Sequence, residues 1–421
     1  MTLEKLYTLY LSTSELCTDT RKITKDCLFF ALKGDHFDGN SFAEEALKRG
    51  AMYCIIDNAK YLVNDHCILV ENVLQTLQDL ATHHRNQLNI PILALTGSNG
   101  KTTTKELITC VLSKKHNTSA TKGNLNNHIG VPLTLLKMNA TTEIGVVEMG
   151  ANHQKEIAFL CAIAQPNYGL ITNFGKAHLE GFGGVDGVIK GKSELYDYLR
   201  ADHQTIFINE LDELQVKQAE PYDQLIRFGK SMLLDQDHPY LSVKFDSKTI
   251  NTNLTGTYNF GNICAAIAIG QYFKVNATDI VSAIEGYIPE NNRSQIIRKE
   301  GLQILLDAYN ANPTSMKAAL LSFTAPKDTI KFAILGDMFE LGNDAKTEHQ
   351  LIVDLVNGLE LEQVYFVGKN FYLTQSSSKN SFLFETFEDF KQNFNPINLK
   401  NGSLLIKGSR GMALERVLDL I

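Results

Sequence analysis

Little in this chain would send it to a membrane, a nucleic acid or an oxidising compartment. No apolar run approaches the length of a membrane span, and Met1-Thr-Leu-Glu4 lacks the basic region and apolar core of a signal peptide. The expectation is a cytoplasmic protein with no membrane insertion. Acidic residues (47) outnumber Lys and Arg (40), and no basic block or aromatic-interleaved basic stripe occurs, which excludes nucleic-acid binding as a reading. Seven scattered cysteines include no C-x-x-C pair, and an odd number fits reduced thiols serving as small core residues rather than catalysts. Internal repeats and long low-complexity linkers are also missing; only Ser376-Ser-Ser-Lys-Asn-Ser381 reads as an exposed loop. What is present is 421 residues of 44% apolar content, enough for about three packed domains.

The pattern divides the chain in three. Short apolar runs at 28–32, 54–56 and 67–70 surround an amphipathic stretch from Asn40 to Arg49, which Gly50 stops, and together they predict a small α/β module. A helical segment near 73–87 leads onward. From about residue 89, buried strands (clearest at 92–95, 145–147 and 168–171) alternate with helical segments, as in a parallel sheet covered by helices. The more polar stretch from Asp202 to Asp246 reads as an edge insertion. From Arg293 onward, strands at 303–306, 330–335, 364–367 and 404–406 predict a second doubly wound unit. Domain bounds are placed at 1–85, 86–292 and 293–421.

The strongest chemical signal is Thr96-Gly-Ser-Asn-Gly-Lys-Thr-Thr103, where an apolar strand runs through a loop of small residues into a helix. Gly97 and Gly100 let backbone amides come close to phosphate oxygens, and the helix N-terminus adds partial positive charge. Lys101 is placed to neutralise terminal phosphates and the Thr102 hydroxyl to meet magnesium. Leu95 stands where the first Gly of the common G-x-x-x-x-G-K-[ST] loop belongs, so the loop is a shortened form.

Further candidates collect beyond strand ends, where open parallel sheets keep their chemistry. Glu148 ends a strand as either a magnesium-binding carboxylate or a helix-capping acid. His178 sits in the glycine-rich loop Thr172–Gly184, as a ligand or a structural imidazole. Lys192 by itself reads as an ordinary solvated lysine. Asn124-Leu-Asn-Asn127 offers amides suited to sugars and peptides, or a polar turn. Asp307-Ala-Tyr-Asn-Ala-Asn-Pro313 follows the first strand of the third region, with Asn312 capping a helix that Pro313 opens.

These segments, in this order, resemble the Mur ligase superfamily of ATP-dependent amide-forming ligases. The Asp307–Pro313 segment is similar to the D-x-Y-N-A-N-P motif of its UDP-N-acetylmuramoyl-tripeptide–D-alanyl-D-alanine ligase branch. Leu335-Gly-Asp-Met-Phe-Glu-Leu-Gly342 and Lys407-Gly-Ser-Arg410 fit the same branch. The resemblance implies an α/β protein of three domains: an N-terminal UDP-binding module, a central P-loop-type ATPase domain and a Rossmann-like C-terminal domain. It assigns Gly97, Ser98, Asn99, Gly100, Lys101, Thr102, Thr103, Asn262, Arg293 and Asp307 to ATP. Thr20, Arg21, Lys33, Gly34, Asp38, Gly39, Asn126, Asn127, Tyr309, Asn310 and Asn312 fall to the other substrates. Lys101, Glu148, His178 and Lys192 become catalytic. Thr102, Glu148, His178 and a carbamylated Lys192 would hold magnesium. Tyr258 replaces the histidine usual in the motif that holds Asn262. The implied reaction joins D-alanyl-D-alanine to UDP-N-acetylmuramoyl-tripeptide for peptidoglycan synthesis, and so serves cell-wall biogenesis, cell shape and division; a monomer is expected. The competing readings are another amide ligase of the superfamily, and a non-catalytic nucleotide-binding or switch protein that keeps the phosphate loop.

Overall fold

The computed structural model describes the chain except for residues 238, 291, 327, 328 and 400. The N-terminal part carries β1 (Leu16–Cys17), β2 (Leu28–Phe30), a small antiparallel hairpin of β3 (Lys33–Gly34) and β4 (Phe37–Asp38), β5 (Tyr53–Ile56) and β6 (Cys67–Leu69). Strands β1-β2-β5-β6 form a parallel sheet in that order. Cys17, Cys27, Cys54 and Cys67 pack together in its core. All seven thiols are free, and burial pushes those of Cys54 and Cys264 up to about 12, which keeps them protonated and inert.

The middle part contributes β7 (Ile92–Thr96), β8 (Thr118–Ala120), β9 (Ile144–Glu148), β10 (Tyr168–Ile171), β11 (Thr205–Asn209) and β12 (Leu225–Phe228). They pair in the order β12-β11-β10-β7-β9-β8, all parallel. The polar stretch expected as an edge insertion therefore supplies two strands of the main sheet. The run Ile206-Phe-Ile208 is buried, whereas β12 lies at the sheet edge and keeps polar groups such as Arg227, which hid it. Only then does an antiparallel sheet follow, from β13 (Met232–Gln236), β14 (Ser242–Phe245) and β15 (Lys248–Asn251).

The third part holds β16 (Gln295–Lys299), β17 (Leu302–Asp307), β18 (Lys331–Gly336), β19 (Gln363–Val367), β20 (Ser381–Phe384) and β21 (Ser403–Lys407). Their order is β16-β17-β21-β18-β19-β20, with β16 antiparallel at one edge and the rest parallel. In the two larger sheets the chain reverses its direction of winding near β7 and near β17 and β21. Such switch points open a crevice beyond the strand ends. The helix Val73–Leu88 runs through the boundary drawn at residue 85, and it packs both on the N-terminal helix Leu3–Ser12 and on the middle-part helices Gly130–Leu135 and Glu156–Ala164, with Arg85 donating to Ala164 O.

Candidate active site

A cavity of about 590 Å³ lies between the carboxyl ends of the middle and third sheets. Strand β7 enters it through the loop 97–100, and the helix Lys101–Leu112 leaves it. Gly97 (φ 141°) passes so close to β10 that an added Cβ would lie 2.0 Å from Thr172 Oγ1. Gly100 (φ 79°) opens the helix in the left-handed region, and its Cβ would meet Asn262 Oδ1 at 2.7 Å. Only glycine satisfies both positions. No side chain caps this helix, so its first-turn amides remain available to an anion. Asn173 braces the loop, its Oδ1 accepting from Asn99 N at 3.1 Å and its Nδ2 donating to Asn99 O at 2.9 Å.

Lys101 Nζ donates to Gly97 O at 2.7 Å. Burial holds its ammonium below the usual lysine range; Glu148 partly offsets this, and Arg293 adds to it. Glu148, at the end of β9, is buried: its Oε1 accepts from Asn126 Nδ2 at 2.9 Å and from Thr102 Oγ1 at 3.4 Å. Its Oε2 has no hydrogen-bond partner, and Lys105 Nζ stands 3.8 Å away. A buried carboxylate oxygen left open beside a threonine hydroxyl is a donor set suited to magnesium.

The other two expected metal ligands lie differently. His178 (φ 53°) lines the cavity, but its Nδ1 faces the carboxylate of Glu340 from the third part. A carboxylate offers only acceptors, so with Nδ1 turned to Glu340 the ring nitrogen that could serve a cation is Nε2. The same contact draws the Glu340 carboxyl below its usual range. Lys192 is fully buried and does not line the cavity; its Nζ lies 4.8 Å from the Phe182 ring and donates to Ala151 O at 3.1 Å. Burial, with Lys101 nearby, holds its ammonium well below the ordinary range. Among the described residues no group of three or more His, Cys, Asp or Glu side chains is placed to hold a metal ion.

From the third part, Asp307 ends β17 beside Lys407 at the end of β21, and Lys407 Nζ meets Asp307 Oδ2 at 2.5 Å. Lys407 is a cavity residue to which the Lys407-Gly-Ser-Arg410 pattern gives no role; only the register of β17 and β21 shows that it faces Asp307. The expected Asn312 cap is present, its Oδ1 accepting from Ser315 N, and Ser315 completes a capping box. Asn312 also reaches across the cavity, donating from Nδ2 to Asn99 Oδ1 at 2.7 Å. Arg293, Tyr309 and Asn310 line the same space, as do Ser98, Asn126, Asn127, Thr103 and Asn262.

The N-terminal candidates do not join this cavity. Lys33, Gly34 and Asp38 lie on the β3–β4 hairpin, where Lys33 Nζ pairs with Asp57 at 2.7 Å and Asp38 Oδ1 accepts from Asn40 N at 3.0 Å. Gly39 N donates to Leu32 O at 2.9 Å, closing the hairpin. Thr20 and Arg21 form a separate short helical turn, Arg21 pairing with Asp19 at 2.8 Å.

Comparison with known proteins gives this architecture a lineage. The family model for the Mur ligase family catalytic domain matches residues 13–92, that for the Mur ligase middle domain 95–270, and that for the Mur ligase glutamate ligase domain 292–409. The UDP-N-acetylmuramoyl-tripeptide–D-alanyl-D-alanine ligase of Bacillus subtilis is 35% identical over 428 residues, spanning 96% of this chain and 93% of that protein. The Escherichia coli ligase of the same name is 32% identical over 421 residues, or 95% and 92%. A crystal structure of MurF from Acinetobacter baumannii superposes with TM-score 0.87 at 29% identity, covering 99% of this chain and 98% of that one. The MurF ligase of Thermotoga maritima in complex with ADP gives TM-score 0.83 at 27% identity, covering 98% and 97%. With relatives above 30% identity along nearly its whole length, and a phosphate loop facing a third sheet across one cavity, the chain belongs to the Mur ligase family of amide-forming ligases.

Proposed function

We propose that this ligase couples ATP cleavage to amide formation between UDP-N-acetylmuramoyl-tripeptide and D-alanyl-D-alanine, giving the pentapeptide precursor of peptidoglycan. The observation that carries this reading is the cavity itself, in which an uncapped phosphate-loop helix and the open Glu148 oxygen face the Asp307–Asn312 segment. The division of labour proposed is UDP recognition by residues 1–85, ATP cleavage by 86–292, and domain closure with dipeptide capture by 293–421. The proposed site of action is the cytoplasm, as a monomer; no described helix is long and apolar enough to cross a membrane.

A carboxylate is a poor acylating group, so the tripeptide's terminal carboxylate oxygen attacks the γ-phosphorus of ATP. A P–O bond forms to the acyl oxygen, the bond to ADP breaks, and an acyl phosphate results. Lys101 and the first-turn amides 101–103 hold the phosphates while charge shifts toward ADP. Asn262, packed on Gly100, sits where it can meet the base, and Arg293 and Asp307 approach from the third domain. The dipeptide amine then attacks the acyl carbon, and phosphate leaves after the tetrahedral intermediate forms. The wall formed by Asn310 and Asn312 excludes water from an intermediate that hydrolyses readily.

Thr102, Glu148 and His178 Nε2 are the groups proposed to hold magnesium, which when bound neutralises phosphate charge. Lys192, whose ammonium burial disfavours, is the lysine proposed to carry a carbamate: its deprotonated amine would add to carbon dioxide, forming an N–C bond and releasing a proton, and the carbamate would be a further oxygen ligand. The test is ADP release with ATP, magnesium and the UDP-muramoyl tripeptide, with and without D-alanyl-D-alanine. Dipeptide-dependent turnover to the pentapeptide is the expected result. Nucleotide binding without dipeptide-dependent turnover overturns the assignment.

A further inference from the structure

Arg293 precedes β16 and Tyr309 follows β17; antiparallel pairing, with Gln295 opposite Leu306, brings both to the open end of the hairpin, and the Arg293 guanidinium carbon lies 3.6 Å from the Tyr309 ring centroid. That is face-to-face contact. A second guanidinium, Arg410, is 6.0 Å from the same centroid but is engaged by Glu415 at 2.9 Å. The backbone that presents Arg293 is costly, because Asn292 (φ 58°) and Ser294 (φ 49°) both occupy the left-handed region. Three contacts hold this turn in place. Tyr309 N donates to Asn292 O at 3.2 Å, Ser294 N donates to Asp307 Oδ1 at 3.2 Å, and Ser294 Oγ meets the Tyr258 hydroxyl of the middle domain at 2.9 Å. Arg293 lines the same cavity as the phosphate-loop residues 98–103.

A guanidinium stacked on a ring engages only its face. Its in-plane N–H groups remain open to phosphate oxygens, and the ring removes the rotamer freedom that a free arginine would lose on binding. We propose that Tyr309 is a positioning residue that seats Arg293 for the nucleotide phosphates through its ring, and that the dipeptide is recognised elsewhere on the third-domain wall. The Tyr309 hydroxyl is then dispensable and the ring is not. This assignment rests on the ATP-ligase reading above and gives the motif tyrosine a role that a direct substrate contact does not.

The experiment compares Tyr309→Phe, Tyr309→Leu, Arg293→Ala and the Tyr309→Leu/Arg293→Ala double variant. ADP affinity is measured by equilibrium titration in magnesium buffer, and KM for D-alanyl-D-alanine is measured separately. Tyr309→Leu is expected to weaken ADP binding by about three- to thirtyfold, the range of a partly desolvated cation–ring contact. Tyr309→Phe should recover that affinity. In the Arg293→Ala background Tyr309→Leu should add nothing further, because the two act as one unit. The proposal is overturned if Tyr309→Phe raises the dipeptide KM while ADP binding holds, or if Tyr309→Leu and Arg293→Ala weaken ADP binding additively. Thermal unfolding of each variant separates misfolding from lost seating, and Tyr309→Phe decides the matter should Tyr309→Leu not fold. Failure of the wild-type chain to bind ADP at all would instead remove the ATP-ligase reading.

Discussion

The middle domain is joined to its two neighbours by seams of different chemistry. On the N-terminal side, buried side chains end on backbone carbonyls. Arg85 donates to Ala164 O at 3.0 Å and Gln165 O at 3.1 Å, Gln78 to His128 O at 2.9 Å, and Tyr10 to Leu136 O at 2.6 Å. Backbone acceptors cannot turn away, and a broken bond would strand them out of water. On the side of the third domain, Glu180 N donates to Glu340 O at 3.2 Å and Lys176 N to Thr314 Oγ1 at 2.9 Å, but several contacts join side chain to side chain. Asn312 pairs with Asn99, His178 with Glu340, and Lys176 Nζ with Glu348 Oε1 at 2.5 Å, with the lysine 43% exposed. Water can replace such partners at little cost. The domain closure proposed above would work on the second seam, on which the cavity lies, while the first would stay shut.

The largest effects should come from the fixed wall of that cavity. Lys101→Ala or Glu148→Ala is expected to lower kcat/KM for ligation by about 10³-fold, the loss of a group acting on transferring phosphoryl charge, with the unfolding midpoint almost unmoved. Steady-state kinetics beside thermal unfolding checks this, and near-wild-type ligation in either variant would remove the assigned roles. Arg85→Ala should do the reverse. It leaves buried carbonyls unpaired and should cost about 2–3 kcal/mol in denaturant unfolding while the kinetic constants stay close to wild type. If Arg85→Ala instead lost activity without losing stability, the contrast between the seams would fail.

The two seams were unequally legible in the sequence. The phosphate loop, Glu148 and the Asp307–Asn312 segment announce themselves because each is a local pattern at a strand end, and the structure puts all of them on one cavity. What the pattern hides is pairing over distance. Lys407 faces Asp307 only because β21 inserts between β17 and β18, and nothing near residue 407 encodes that register. Glu340 sits in a motif that was noticed, but its loop is aimed by Met338 N donating to His349 Nε2 at 3.0 Å and Phe339 N donating to Ser409 Oγ at 2.9 Å. The hydrogen bond between Asn99, expected to bind ATP, and Asn312, expected to bind another substrate, is likewise a pairing over distance. Strand β12 is hidden because an edge strand does not need a continuous apolar run, and β11, whose buried run is only Ile206-Phe-Ile208, is masked by the polar residues on either side of it.

A charge swap probes the opening seam directly. Lys176→Glu and Glu348→Lys should each raise ATP hydrolysis relative to ligation by a few-fold, about what an ion pair with one exposed partner contributes. The double swap should restore the ratio, and added salt should reduce the wild-type advantage. Equal defects in the single and double variants would show that this pair does not hold the domain shut.

The smallest effect expected is on pH, and it belongs to the closed seam. Burial holds His84 below the ordinary histidine range, outweighing the Met138 carbonyl that its Nε2 meets at 2.8 Å, while Nδ1 meets the Tyr7 hydroxyl at 3.1 Å. Since the folded state disfavours the protonated ring, the unfolded chain takes up the proton first. The resulting stability is fully present above the unfolded-state value near 6.5 and is lost as pH falls through the depressed folded-state value. His349, lowered mainly by burial in the third domain, adds a contribution of the same sign. Melting temperature should therefore fall on acidification from neutral pH. His84→Gln should flatten only part of that slope, leaving the part that His349 supplies. A slope unchanged in His84→Gln would mean that the N-terminal seam tolerates the charged ring, and that its permanence comes from Arg85 and the apolar packing instead.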